Sequence, residues 1–386
     1  MRIAIVGCGQ LSRMLALAGL PLGIKFSFIK DTPNQDTSCV DGLGPVVPLV
    51  QDWQTTENLQ ALYNELGNPD CITVEKEQVD INLLRALKDF CPLSPNAEAV
   101  FACQHRKNEK ELLSRLAIPT SPWHYCVTAA KAMEDLSLPL VVKSCSDGYD
   151  GKNQWILKTP ADVENFDNLD TQDYIIEAWI KYDREISLVS ARGNNGEIKH
   201  YELTENTHKN GILVKSIAPA TALTPAMSAK AHSYMESLMT DMNYVGVMAM
   251  ECFVVGDELI INELAPRVHN SGHWTQMGSV TCQFENHLRA IGGLPLGGTQ
   301  LIRPTAMVNI IGEDDISDEI YSIPSVAMHW YDKAKREGRK MGHINLCGKD
   351  EAELAERLVQ LSSLLKQESF PDLNDFANRY LTKASQ

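Results

Sequence analysis

The sequence predicts an α/β fold for roughly its first hundred residues and a mixed α+β fold for the remainder. Three observations carry that prediction. The chain opens on an apolar run, Ile3-Ala4-Ile5-Val6, that passes through Gly7-Cys8-Gly9-Gln10 into Leu11, Met14, Leu15 and Ala18 at helical spacing. Further apolar runs at 26–29 and 71–74 alternate with helical stretches near 57–66 and 80–89, which is the signature of a parallel sheet ending near residue 100. Beyond that point the texture changes to strands with few helices.

Taken in order, Arg106 to Leu116 reads as a charged helix that stops before Ile118-Pro119. Leu138 to Lys143 is a short apolar strand, followed by a loop over 144–153 and a strand from Gln154 to Leu157. Thr159-Pro160-Ala161-Asp162 starts a helix, with a capping hydroxyl, a proline in the first turn and a carboxylate three residues on. Strands follow at 174–179 and 186–192, a helix at about 225–242, and strands at 244–255 and 259–264. From about residue 297 the pattern shifts to short strands and a final helix near 350–365. This gives three regions, 1–100, 101–296 and 297–386, with no repeat and no low-complexity linker between them.

At 386 residues the chain exceeds one ordinary core, and 44% apolar with 22% charged residues fits a globular enzyme. No stretch approaches the roughly 18 apolar residues of a membrane helix, and the opening strand lacks the features of a signal peptide, so the expectation is a cytoplasmic protein without a membrane partner. Its 10 cysteines are scattered with no C-x-x-C, and are expected to be reduced core residues. A net charge of −15 argues against nucleic acid as a partner, since phosphate backbones would be repelled. A small anion would need a local basic cluster.

Five constellations could carry chemistry. Gly7-x-Gly9-x-x-Ser12, with Asp31 after the second strand, resembles a dinucleotide-binding turn, but Ser12 replaces the third glycine. The turn could hold another phosphate or simply turn. The loop at 144–153 joins two strands and lacks G-K-[ST], so it is not a Walker A loop; it could still fold over a triphosphate, with Lys143 neutralising phosphate oxygens. An ordinary hairpin loop is the competing reading.

The third is the pair Glu251 and Glu263. Val245 to Val255, a loop Gly256-Asp257-Glu258, and Leu259 to Glu263 read as a hairpin in which Val255 faces Leu259 and Glu251 faces Glu263. Opposed carboxylates among apolar neighbours repel unless one is protonated or a cation lies between them. Mg²⁺ suits that position, completing its shell with water and nucleotide phosphate oxygens. The fourth is 262–273, with Arg267, His269, Asn270 and His273. His269 and His273 have zinc-like spacing, but Asn270-Ser271-Gly272 between them disfavours a helix, and a polar anionic substrate suits the segment better. The fifth is Lys333-Ala334-Lys335-Arg336-Glu337-Gly338-Arg339-Lys340, a positive patch fit for a phosphate or for plain solvation.

In this order the motifs resemble the N5-carboxyaminoimidazole ribonucleotide synthase family over nearly the whole chain. The resemblance is carried by Gly7-x-Gly9-Gln10-Leu11, Gly148-Tyr149-Asp150-Gly151-Lys152, Gly246 to Glu251, Ile261 to Trp274, Trp330-Tyr331-Asp332-Lys333 and Gly338-Arg339-Lys340. The run Asn270-Ser271-Gly272-His273-Trp274 is its most specific part. It implies an ATP-grasp fold with a Rossmann-like N-terminal domain and a small β-rich C-terminal domain. It also implies ATP and Mg²⁺ (or Mn²⁺) as cofactors, and a homodimer.

The implied reaction joins bicarbonate to 5-aminoimidazole ribonucleotide, giving ADP and phosphate by way of carboxyphosphate. The implied nucleotide contacts are Arg106, Lys143, Gly148, Tyr149, Gly151, Glu177, Ala178, Trp179, Ile180, Glu185, His208, Asn262 and Glu263, with Glu251 and Glu263 holding the metal. Asp150, Lys152, Arg267, His269 and Lys333 would face the reacting groups. Gln10, Leu11, Glu75, Asn270, His273, Lys333, Arg339 and Lys340 would line the ribonucleotide side. Asp147 and Asn153 depart from the family's glycine-richer loop, and Asn153 can still adopt positive φ.

Three alternatives stay open on the sequence: another ATP-grasp ligase such as formate-dependent glycinamide ribonucleotide transformylase, an NAD-dependent oxidoreductase, and a non-catalytic nucleotide-binding relative.

Overall fold

The computed structural model describes residues 1–146, 153–169, 172–370 and 372–384. Its first layer is a parallel four-stranded sheet in the order Val46–Pro48, Lys25–Lys30, Arg2–Val6, Cys71–Val74. The central strand is buried on both faces, which is why Ile3-Ala4-Ile5-Val6 reads as a continuous apolar run. Val46–Pro48 is too short to leave a periodic signal and is not legible in the sequence.

The helix Ala97–Gln104 leads into Arg106–Arg115. Next comes an antiparallel four-stranded sheet in the order Trp123–Tyr125, Tyr174–Ala178, Leu140–Ser144, Gln154–Leu157. The capping box forms as the sequence predicts: the Thr159 hydroxyl accepts from the Asp162 N–H, and the Asp162 carboxylate accepts from the Thr159 N–H at 2.8 Å. Asn153 has φ 52°, the left-handed conformation expected of it.

The largest layer is a nine-stranded sheet. Its path runs Glu258–Ala265, Gly246–Val255, Arg184–Arg192, Thr204–Lys209, Ile212–Ala218, Thr305–Ile311, Lys340–Cys347, Val326–Trp330, with Ile198–His200 paired to Arg184–Arg192. The strands after residue 297 therefore extend the central sheet instead of forming one of their own, with Ile212–Ala218 paired directly to Thr305–Ile311. A second C-terminal helix, Leu373–Ala384, packs on Glu351–Leu364, so the helix near 350–365 is not the last.

Candidate active site

The hairpin Gly246–Val255 and Glu258–Ala265 supplies the centre of the site, and its register corrects the sequence reading in one respect. Val255 faces Glu258, not Leu259, so the connecting turn is only Gly256-Asp257. Plain counting from that turn would set Glu251 opposite Asn262. A bulge between Glu251 and Cys252 absorbs one residue and brings Glu251 opposite Glu263 after all.

Both carboxylates line one cleft of about 1140 Å³. Glu263 accepts from Arg106 at 3.2 Å. Glu251 lies 3.6 Å from His269 Nε2 and 4.0 Å from His208 Nε2. Burial, with Glu263 and Glu185 adding repulsion and His208 opposing, pushes the Glu251 carboxyl up to about 7. A carboxyl raised that far marks a position short of positive charge. The hard oxygen donors of Glu251, Asn262 and Glu263 on one wall fit a divalent magnesium-like cation.

One wall of the cleft is built on a buried charge cluster. Glu177, on Tyr174–Ala178, lies 2.6 Å from both Lys110 and Lys143. Burial opposes its charge, but the two ammonium groups prevail and hold the carboxyl well below the usual range. Lys143 also donates to Asn262 at 3.2 Å, which links the small sheet to the metal-type wall. Burial lowers the Lys143 ammonium pKa against the pull of Glu177. The Glu177 side chain thus anchors two cations, leaving its neighbours Ala178, Trp179 and Ile180 to edge the cleft. Trp179 is 44% exposed there.

Further along, Tyr182 donates to Glu185 at 2.5 Å, and Glu185 pairs with His208. Burial disfavours the His208 cation, but Glu185 and Glu251 outweigh it and raise its pKa. Burial, Arg267 and Lys340 hold the His269 imidazole well below its ordinary value. Arg267 forms a two-pronged ion pair with buried Glu77, one prong at 3.1 Å. His273 is buried against Gln283, 3.0 Å from its amide nitrogen, and Asn270 exchanges hydrogen bonds with Asn309 at 2.6 and 3.1 Å. The segment 270–272 is a short 3₁₀ turn, so the two histidines do not share a helix face.

At the opposite end lie Gln10, Leu11 and Glu75 of the first layer and the basic segment of the last. Lys333 donates to Gln10 at 2.5 Å and to the Lys340 carbonyl at 3.3 Å. Arg339 reaches Asp36 at 2.7 Å, and Lys340 lines the same wall. The glycine turn is closed by Glu75, which accepts from Gly9 N–H at 2.6 Å and Ser12 N–H at 3.0 Å. Gly7 has φ +113°, and a Cβ there would fall 2.4 Å from Glu75. A carboxylate thus fills the helix N-terminus where a dinucleotide pyrophosphate would lie, and Asp31 is paired to Lys76 at 2.9 Å. This removes the physical basis of the NAD reading.

Every described residue that the family resemblance assigns to the site faces this cleft, while Asp147, Gly148, Tyr149, Asp150, Gly151 and Lys152 lie outside the described residues. Sequence reading missed Lys110, Glu77 and Tyr182. For Lys110 a signal existed: Arg106, Glu109, Lys110 and Leu113 fall at i, i+3, i+4 and i+7 of one helix, a buried face written in charges.

Comparison with known proteins agrees with this geometry. Residues 1–104 match the ribonucleotide synthetase preATP-grasp domain, 111–284 the ATP-grasp domain, and 305–357 the phosphoribosylaminoimidazole carboxylase C-terminal domain. The N5-carboxyaminoimidazole ribonucleotide synthase of Vibrio parahaemolyticus is 42% identical, with 98% of this chain and 99% of that protein aligned. That of Escherichia coli is 37% identical over 95% and 96%.

Among solved structures, the N5-carboxyaminoimidazole ribonucleotide synthetase of Thermus thermophilus superimposes with a TM-score of 0.86 at 39% identity, covering 94% of this chain and 98% of that one. An Aspergillus clavatus synthase in complex with ADP and 5-aminoimidazole ribonucleotide gives 0.81 at 25% identity, with 98% of each chain covered. Fold and cleft together define an ATP-grasp ligase. Within that class, the chain belongs to the N5-carboxyaminoimidazole ribonucleotide synthase family.

Proposed function

We propose that the protein carboxylates 5-aminoimidazole ribonucleotide with bicarbonate, using ATP and releasing ADP and phosphate. The observation that carries this reading is that one continuous cleft joins the opposed pair Glu251 and Glu263 to the cations Lys333, Arg339 and Lys340. An ATP-activated group and a phosphate-bearing acceptor can therefore meet without leaving it.

Bicarbonate is a poor electrophile. Its oxygen attacks the γ-phosphorus, the bond to the β-phosphate oxygen breaks, and ADP leaves. The amine nitrogen then bonds to the carboxyl carbon, or to the CO₂ released from it, and loses a proton as phosphate departs. Arg106 and Lys143 orient and neutralise the triphosphate, the segment 178–180 borders the adenine, and Glu185 with His208 borders the ribose. Mg²⁺ held by Glu251 and Glu263, with Asn262 beside them, would supply electrostatic stabilisation of the transferring phosphoryl group. Lys333 and Arg339 take the acceptor's phosphate, and Arg267 and His269 line the junction between the two halves.

On this reading 1–100 and 297–386, with Asn270 and His273 of the middle region, hold the ribonucleotide, while the rest of 101–296 holds ATP. The homodimer and the cytoplasmic location belong to the same proposal, on the family's pattern. The test is phosphate release in bicarbonate buffer with and without 5-aminoimidazole ribonucleotide. Strong stimulation by that amine, and none by glycinamide ribonucleotide with formate, is expected. The reverse pattern would make the protein a different ATP-grasp ligase.

A further inference from the structure

Away from the hairpin carboxylates, three dissimilar side chains converge from three separate segments. His105 precedes the helix Arg106–Arg115, Cys145 follows the strand Leu140–Ser144, and Asp173 precedes Tyr174–Ala178. One potential ligand atom from each lies within 4.8 Å of the others. His105 Nε2 is 2.9 and 3.2 Å from the two Asp173 oxygens. Tyr125 and Ser146 hydroxyls donate to the same carboxylate at 3.2 and 3.3 Å.

The backbone fixes the cluster. Cys145 N–H donates to the Asp173 carbonyl at 2.9 Å, and Arg106 N–H donates to the Cys145 carbonyl at 3.1 Å. Asp173 holds a left-handed φ of 58°, uncommon for a residue other than glycine.

A Cys, a His and an Asp could also suggest a nucleophile with its base. Here Cys145 is buried, and burial pushes its thiol up to about 12, whereas a nucleophilic cysteine needs an accessible thiolate. The ring nitrogen that would serve as base is already committed to Asp173, and His105 Nδ1 is buried without a partner among the described residues. One nitrogen, one sulfur and one oxygen donor within 4.8 Å of one another match a borderline-soft cation instead.

We propose that His105, Cys145 and Asp173 form a binding site for one Zn²⁺-type divalent ion, separate from the hard-cation position at Glu251 and Glu263. Binding exchanges the Cys145 S–H bond for an S–metal bond and releases the proton to solvent, and water completes the shell. Asp173, with 42% of its side chain exposed, provides the entry side. An ion there would tie the residue before Arg106 to the end of the strand that carries Lys143, so the two triphosphate-side cations would share a common brace.

The experiment is titration of the full-length reduced protein with Co²⁺, without nucleotide, following the near-ultraviolet thiolate-to-cobalt band. One equivalent should develop the band, Zn²⁺ should abolish it, and excess Mg²⁺ should not. Cys145→Ser should lose the band, Asp173→Asn should bind roughly tenfold or more weakly, and Cys91→Ser should behave as wild type. Absence of the band in wild type, or its persistence in Cys145→Ser, would overturn the assignment. Because Cys145 is buried, His105→Ala gives an independent arm, and unchanged Co²⁺ affinity in that variant would overturn it equally.

Discussion

The two ends of the cleft handle charge in opposite ways. At the end proposed for the triphosphate the protein balances its own cations: Lys110 and Lys143 share buried Glu177, and Arg106 rests on Glu263. At the end proposed for the ribonucleotide Lys333 has, among the described residues, only the neutral oxygens of Gln10 and Lys340 as hydrogen-bond acceptors, and Arg339 has an Asp36 carboxylate that is 43% exposed. Burial lowers the pKa of Lys333 as it does that of Lys143, so the contrast rests on the partners and not on the shift. A cation paired in low dielectric is held in place before a ligand arrives, whereas one with neutral partners gains most when an anion binds. The first end is built for position and the second for capture.

That contrast is most exposed to Glu177→Gln. Two buried ammonium groups would lose their common counter-charge, and a destabilisation of about 3–5 kcal/mol is expected by denaturant unfolding. A change below about 1 kcal/mol would mean that solvent already compensates Lys110 and Lys143. Glu263→Gln should spare the fold yet lower ATP turnover by at least about a hundredfold, the scale of losing one electrostatic group at a reacting centre. Near-wild-type phosphate release would remove the metal assignment.

Lys333→Met sharpens the other side of the comparison. With only neutral partners to abandon, its stability should change by about 1 kcal/mol or less, while the ribonucleotide's stimulation of phosphate release should largely disappear. An equally destabilised variant would show that both ends are built alike.

The smallest effect concerns pH. Glu251 has its folded pKa raised from 4.5 to about 7, so the folded state binds the proton more tightly than the unfolded one. Stability from this group is present below the unfolded value and is lost as pH rises through about 7. A cation that replaces the proton should therefore stabilise the protein more above that point than below it. Thermal melts with and without Mg²⁺ on either side of neutrality check this, and Glu251→Gln should flatten the difference.

Much of the site was legible because its chemistry is local in sequence. Glu251 and Glu263 flank one tight hairpin, and Asn153 was tolerable in the loop because asparagine accepts positive φ. The hairpin also shows how a correct pairing can rest on a wrong turn, since a bulge beside Glu251 offset a miscounted loop. What escaped was non-local. Thr204–Lys209 carries Thr-Glu-Asn-Thr-His-Lys, without apolar alternation, and owes its strand to pairing on both sides. Glu177 could be assigned to the cleft but not to its two ion pairs, because its partners Lys110 and Lys143 come from two other segments. Glu75 could be assigned to the cleft but not to the helix N-terminus it closes, since that contact spans 66 residues.

The central claim is that ATP, bicarbonate and the ribonucleotide react in one shared cleft. Turnover with ¹⁸O-labelled bicarbonate tests it most directly. If a bicarbonate oxygen attacks the γ-phosphorus and stays with it when the carboxyl group is transferred, the released phosphate carries one labelled oxygen per turnover. Unlabelled phosphate accompanying carboxylated product would contradict the account.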